Sequence, residues 1–145
     1  MNIIVDTNIV FSAILNANGT IGDLLLNSPD DFKFYSPEFM KDELTKYSDK
    51  LLKASKLKKH QLLESAYRIF SSIELISEEI IKNINWKHAF EITKNIDEKD
   101  TPFVALAIEI QGILWTGDKV LIKGLKLKGY KDIYSTNDLL RFRGY

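Results

Sequence analysis

NIIVDTN, residues 2–8, decides the fold. Three β-branched apolar residues, Ile3, Ile4 and Val5, stop abruptly at a carboxylate, Asp6, followed by the small polar Thr7 and Asn8. A short apolar run without alternation suits a strand buried on both faces. Working outward, similar runs recur at FKFY (32–35), IELI (73–76), GILWT (112–116) and DIYS (132–135), with longer stretches of helical character between them. Such alternation implies an α/β layered fold around a central, mostly parallel sheet of about five strands.

The connecting segments carry their own signals. NSPDD (27–31) reads as a turn. Ser36 reads as a helix N-cap with Pro37 in the first helical position, and Gly112 as the glycine that closes a helix running from Pro102. Residues 37–72 read as helix-rich with a break in the Lys-rich stretch.

Composition bounds the possibilities. The 145 residues predict a single domain over 1–145, large enough to bury roughly 68–70% of the surface its unfolded chain exposes. With 45% hydrophobic and 28% charged residues, and only seven glycines and three prolines, the chain is globular and not disordered. Apolar runs such as FVALAI (103–108) are far too short for a bilayer span, and no signal-peptide pattern opens the sequence, so the expected location is the cytoplasm, away from membranes. Absence of cysteine excludes disulfides, thiolate ligands and a cysteine nucleophile, which leaves oxygen chemistry.

The formal net charge of zero hides segregation: residues 1–40 and 61–112 are acidic, while 41–60 and 113–145 each carry seven basic residues against three acidic ones. The basic blocks could follow a phosphate backbone, or be solvated helix faces. Lys46, Lys119 and Lys123 are the candidate substrate contacts.

In an open parallel sheet, ligands bind beyond the carboxyl ends of the strands. Asp6 belongs there, and so does Asp118, which follows GILWT in WTGDK (115–119). Either could instead cap a helix or sit in an ordinary turn. A third acid stands out by position. Phe39, Met40, Leu44, Tyr47 and Leu51 form an apolar stripe at spacings of three and four, and Glu43 lies inside it, whereas Glu38 and Asp42 face solvent. A carboxylate turned toward a core costs several kcal/mol unless it is paired, protonated or bound to a metal. The fourth comes from NIDEKDTPFVALAIEI (95–110), an acidic turn leading into an almost wholly apolar helix. Asp100 or Thr101 can cap that helix, whose burial brings Asp100 toward the same crevice, with Asp97 as helper or loop charge.

Four clustered carboxylates with no interleaved cation call for a neutralising ion, and hard oxygen donors without Cys or paired His suit Mg²⁺ or Mn²⁺ better than Zn²⁺. Such an ion can bind a phosphate oxygen, acidify a water and stabilise the leaving oxygen of a phosphodiester. His60 and His88 are isolated and read as surface residues, Trp115 as core, and Trp86 as core or as an exposed ring for a base or a partner.

VDTNIVFSA (5–13), Glu43, DEKDTPFVALA (97–107) and WTGDKVL (115–121) together resemble the PIN-domain family of small metal-dependent nucleases, especially its bacterial and archaeal toxin members. The resemblance covers essentially the whole chain. It implies a three-layer α/β/α fold, an acidic quartet of Asp6, Glu43, Asp100 and Asp118 holding Mg²⁺ or Mn²⁺, and Thr7, Asn8, Asp97 and Thr116 as supporting polar groups. It also implies hydrolysis of RNA leaving a 5′-phosphate and a 3′-hydroxyl, a protein antitoxin as partner, and a homodimer. The neutral overall charge departs from the expectation of tight nonspecific RNA binding. Two other readings compete. A haloacid-dehalogenase domain needs a second aspartate where Asn8 stands, and a receiver domain needs a phospho-accepting aspartate that IELIS (73–77) does not supply. The presence of all four acids argues against a catalytically silent interaction module on the same fold, which would show no carboxylate-dependent Mn²⁺ uptake.

Overall fold

The computed structural model describes residues 1–144. Five strands form one sheet: β1 (Asn2–Val5), β2 (Lys33–Pro37), β3 (Ile73–Ile76), β4 (Ile113–Trp115) and β5 (Ile133–Tyr134). Their order is β3-β2-β1-β4-β5, and every neighbouring pair is parallel. The opening run therefore lies at the centre of the sheet. Ile4 aligns with Tyr35 on one side and Leu114 on the other, and Ile3, Ile4 and Val5 are wholly inaccessible to solvent.

Nine α-helices complete the described residues: α1 (Thr7–Leu15), α2 (Thr20–Leu26), α3 (Phe39–Lys46), α4 (Ser48–Ala54), α5 (Lys59–Ser71), α6 (Asn83–Thr93), α7 (Thr101–Glu109), α8 (Lys119–Leu127) and α9 (Thr136–Phe142). Helix α7 contacts β1, β2 and β4 and buries Phe103, Val104, Ala105, Leu106 and Ala107, as its apolar sequence demands. Trp115 is buried completely, with its indole N–H donating to Thr136 Oγ1 at 3.1 Å. No single helix among the described residues is long and apolar enough to cross a membrane.

β1 is followed by connections leading outward to β2 and β3, whereas β4 leads the other way to β5. The point where the order reverses lies between β1 and β4, and a crevice opens there beyond the strands' carboxyl ends. Asp6 and Asp118 follow those two strands.

Several boundaries differ from expectation. Ser36 and Pro37 end β2 instead of starting a helix, because Ser36 donates its hydroxyl to the Val5 carbonyl at 2.9 Å and is fully buried; α3 starts at Phe39. A second break falls at Tyr47, between α3 and α4, which shifts the helical phase: Met40, Leu44 and Leu51 are buried, while Tyr47 is 41% exposed. The anticipated break in the Lys-rich stretch lies between α4 and α5.

Gly112 has a different role from the expected one. The left-handed residue after α7 is Gln111, with φ of 54°, and Gly112 N–H reaches back to the Ala107 carbonyl at 2.9 Å, closing a Schellman turn one residue earlier than predicted. Glycine is needed at 112 for space. A Cβ there would stand 2.5 Å from Ile4 Cδ1 and 2.9 Å from the Asn2 carbonyl oxygen.

Candidate active site

Asp6 closes β1 by donating its backbone N–H to the Trp115 carbonyl at 3.1 Å, so the carboxylate is held at the end of a ladder bond and not in a free loop. It precedes α1 without capping that helix through its side chain. Oδ2 instead accepts from the buried Thr116 hydroxyl at 2.6 Å, and Thr116 Oγ1 in turn accepts the backbone N–H of Asp118 at 3.1 Å. One threonine thus ties the ends of β1 and β4 together.

Asp118 caps α8, accepting the N–H groups of Val120 at 3.0 Å and Leu121 at 3.1 Å, both through Oδ1. Capping fixes the carboxylate's orientation and leaves Oδ2 uncommitted. Glu43, half-buried on α3, accepts from the Thr7 hydroxyl at 2.6 Å. Thr7 is the first residue of α1, so this bond joins the β1 end to the helix after β2.

Asp100 arrives by a different device. Asp97 caps a single 3-10 turn, Glu98–Asp100, through a bond from Lys99 N–H to its Oδ1 at 3.0 Å. Asp100 stands at the N-cap position of α7, as expected, but its side chain makes no cap bond, and the Thr101 hydroxyl is engaged with Thr93 Oγ1 at 2.7 Å. Asp100 Oδ2 is consequently buried without any hydrogen-bond partner.

These side chains line one cavity of about 300 Å³, walled by Asp6, Thr7, Asn8, Phe11, Glu43, Tyr47, Lys50, Asp97, Lys99, Asp100 and Asp118. All four candidate acids reach it, with Thr7, Asn8 and Asp97; Thr116 acts from behind, through Asp6. Two lysines also line it, Lys50 and Lys99, so the acids are not without basic neighbours as the sequence suggested. Lys46 is exposed at the end of α3 outside this lining, and Lys119 and Lys123 belong to a separate shallow groove along α8 with Ile122, Lys126 and Leu127. Lys50 is one of many lysines in its block and nothing in the sequence singles it out; it lies on α4, just past the break at Tyr47, and lines the cavity. A larger cavity, about 660 Å³, lies by α2, α5, β2 and β3 and gathers no comparable acid set.

The electrostatics follow first from burial and then from crowding. Burial pushes the Asp6 carboxyl up to about 6, against the Thr116 hydroxyl and the Thr7 backbone, which favour its charged form; Glu43 and Asp118 add to the rise. Asp100 is pushed up to about 8, first by burial and then by the charges of Asp6, Asp97, Asp118 and Glu43. Unlike Asp6, it has no donor to offset these effects. Among the described residues, no three His, Cys, Asp or Glu side chains are set closely enough to form a finished metal cage. The donor set nevertheless fits a hard divalent cation: carboxylate oxygens from four elements, one of them buried and unpartnered, in a polar cavity. Asp6, Glu43, Asp100 and Asp118 are the residues that could hold it.

The parallel sheet, its reversal point and the acid-lined crevice define an α/β protein with an acidic cavity at the carboxyl ends of its central strands. The PIN-domain family model matches residues 4–137, and the chain belongs to the PIN-domain family. With that membership comes the broad class of nuclease. An uncharacterized protein from Methanocaldococcus jannaschii is 29% identical over 124 residues, covering 84% of this chain and 74% of that protein. Among solved structures, VapBC2 from Rickettsia felis, bound to a DNA fragment from its promoter, aligns with a TM-score of 0.68 at 18% identity, over 93% of this chain and 98% of that one. That likeness is one of fold.

Proposed function

We propose that this chain is an endoribonuclease dependent on Mg²⁺ or Mn²⁺, and that it is the toxin of a toxin–antitoxin pair. The observation that carries the reading is Asp100: a half-buried carboxylate whose Oδ2 is buried and unpartnered, raised to about 8 beside four other acids in one cavity. A shared divalent cation relieves that repulsion. When bound, the ion supplies Lewis-acid activation of water and charge compensation at the scissile phosphate.

The protein's own groups do the positioning. Thr116 and Thr7 hold Asp6 and Glu43 at 2.6 Å each, and the α8 cap holds Asp118, so three of the four acids have their orientation fixed before any ligand arrives. Lys50 and Lys99, on the cavity wall, meet the phosphates flanking the scissile bond. The products are a 5′-phosphate and a 3′-hydroxyl, as the resemblance to the family's ribonucleases implies. The fold likeness to a VapBC assembly supports a protein antitoxin, and the family resemblance supports a homodimer and a cytoplasmic setting. Cleavage of single-stranded RNA by the purified protein tests the enzymatic part. Activity in Mg²⁺ that EDTA and Asp6→Asn each abolish is expected; activity surviving either treatment refutes it. Rescue of growth by a small adjacent reading frame tests the toxin assignment.

A further inference from the structure

A second groove lies against the acidic cavity, separated from it by one turn of chain. Glu98, Lys99 and Asp100 are consecutive in the 3-10 turn. Lys99 and Asp100 face the acidic cavity, while Glu98 faces a groove of about 500 Å³ formed with Trp86, Lys87, Phe90, Thr101 and Pro102. Trp86 and Phe90 are four residues apart on α6 and so share one face of that helix. Phe90 is 43% exposed and Trp86 is half-buried. Pro102 adds apolar surface to the lining, to which the exposed Lys87 also contributes.

Phe90 leaves apolar ring surface in water beside a charged site, while Trp86 is partly covered by the core; a flat partner would cover the ring surface that remains open. Aromatic rings with a lysine alongside match a nucleotide, its base against the rings and its phosphate at the ammonium group. Continuity with the acidic cavity selects that partner over others. The cavity takes Lys99 and Asp100 and the groove takes Glu98, Thr101 and Pro102 from the same five consecutive residues, so a strand whose phosphodiester enters beside Asp100 can lay its neighbouring nucleotide in the groove.

We infer that the Trp86–Phe90 groove is a stacking subsite for an unpaired nucleobase next to the scissile phosphate of the RNA. The inference rests on the ribonuclease reading and adds a positioning element to it. Stacking of this kind tolerates any base, so the groove sets register on single-stranded RNA and disfavours paired duplex, whose bases are not free to splay out.

Tryptophan emission tests this directly, because Trp115 is sealed in the core and Trp86 is the other tryptophan of the chain. Wild-type protein in Mg²⁺ is mixed with a single-stranded RNA dodecamer in a stopped-flow fluorimeter, with Trp86→Phe as the control, and steady-state cleavage is measured for Phe90→Ala. The expected result is quenching of Trp86 before cleavage, absent in the control, with KM for Phe90→Ala raised roughly tenfold and kcat within about twofold. Normal cleavage with no Trp86 response and unchanged KM would overturn the stacking subsite while leaving the nuclease reading intact. Failure of the protein to bind or cut RNA at all would overturn both. A Trp86 signal that follows protein concentration and ignores RNA would overturn the subsite and give the groove to a second copy of the chain.

Discussion

Replacing Asp6 with asparagine should stabilise the metal-free protein while destroying its chemistry. Asp6 is 6% exposed, and its carboxyl is raised from 3.8 to about 6, mainly by burial. A folded-state value above the unfolded one means that ionising the group opposes folding. The penalty is absent below about pH 4, grows between about 4 and 6, and is complete above 6. A shift of about two pH units corresponds to about 3 kcal/mol. Asparagine keeps an oxygen for the Thr116 hydroxyl, so the 2.6 Å bond survives in a weaker, uncharged form, at a loss of about 1 kcal/mol. Urea unfolding in EDTA should therefore show Asp6→Asn more stable than wild type by about 2 kcal/mol at pH 8, with the difference shrinking as the pH is lowered toward 5. A variant less stable than wild type at pH 8, or a difference independent of pH, would refute the claim that a buried, ionised Asp6 is strained without a cation.

Other substitutions separate the parts of the account. Thr7→Val removes the donor that holds Glu43, and should weaken Mn²⁺ binding about 10- to 100-fold while changing stability by no more than about 1 kcal/mol, as read by calorimetry and urea unfolding. Lys50→Ala should lower RNA affinity and reduce the salt dependence of binding by about one phosphate contact, whereas Lys46→Ala, outside the cavity lining, should leave the slope unchanged; binding across a salt series distinguishes them. Gly112→Ala forces a methyl group against Ile4 and the Asn2 carbonyl and should cost about 1–3 kcal/mol in chemical denaturation.

The contrast between what could and could not be read from the sequence has a physical basis. Strand β1 was legible because a strand buried on both faces must be continuously apolar, and the order of elements followed from alternation. Trp115 in the core and the exposed His60 and His88 were similarly plain. Glu43 was visible as a charge inside an apolar stripe, yet its companion Tyr47 turned outward, because a chain break resets helical phase and nothing in periodicity records it. Ser36–Pro37 carries the signature of a helix start; a tertiary bond to Val5 overrode it. The tying role of Thr116 between Asp6 and Asp118 spans 110 residues to Asp6, and no local pattern announces a contact of that range. The aromatic groove is half-legible: the sequence allows Trp86 as core or as an exposed ring, and in the structure it is half-buried at the groove.

The basic C-terminal block also resolved into separate roles. Arg143 bonds Ser28 and Asp23, both at 2.7 Å, and Lys128 bonds the Ile92 carbonyl at 3.0 Å, so those charges pin the ends of α9 and α8 to the body of the protein, whereas Arg141 pairs with Asp138 within α9 itself. Charge counting along a chain cannot separate such structural pairs from charges open to a ligand.

Isothermal titration of Mn²⁺ into metal-free protein tests the central claim most directly. Saturable uptake by the wild type, lost in Asp100→Asn and in Asp118→Asn with the fold retained by circular dichroism, is the predicted result. Heat identical in wild type and both variants, or no uptake by any of them, would contradict it.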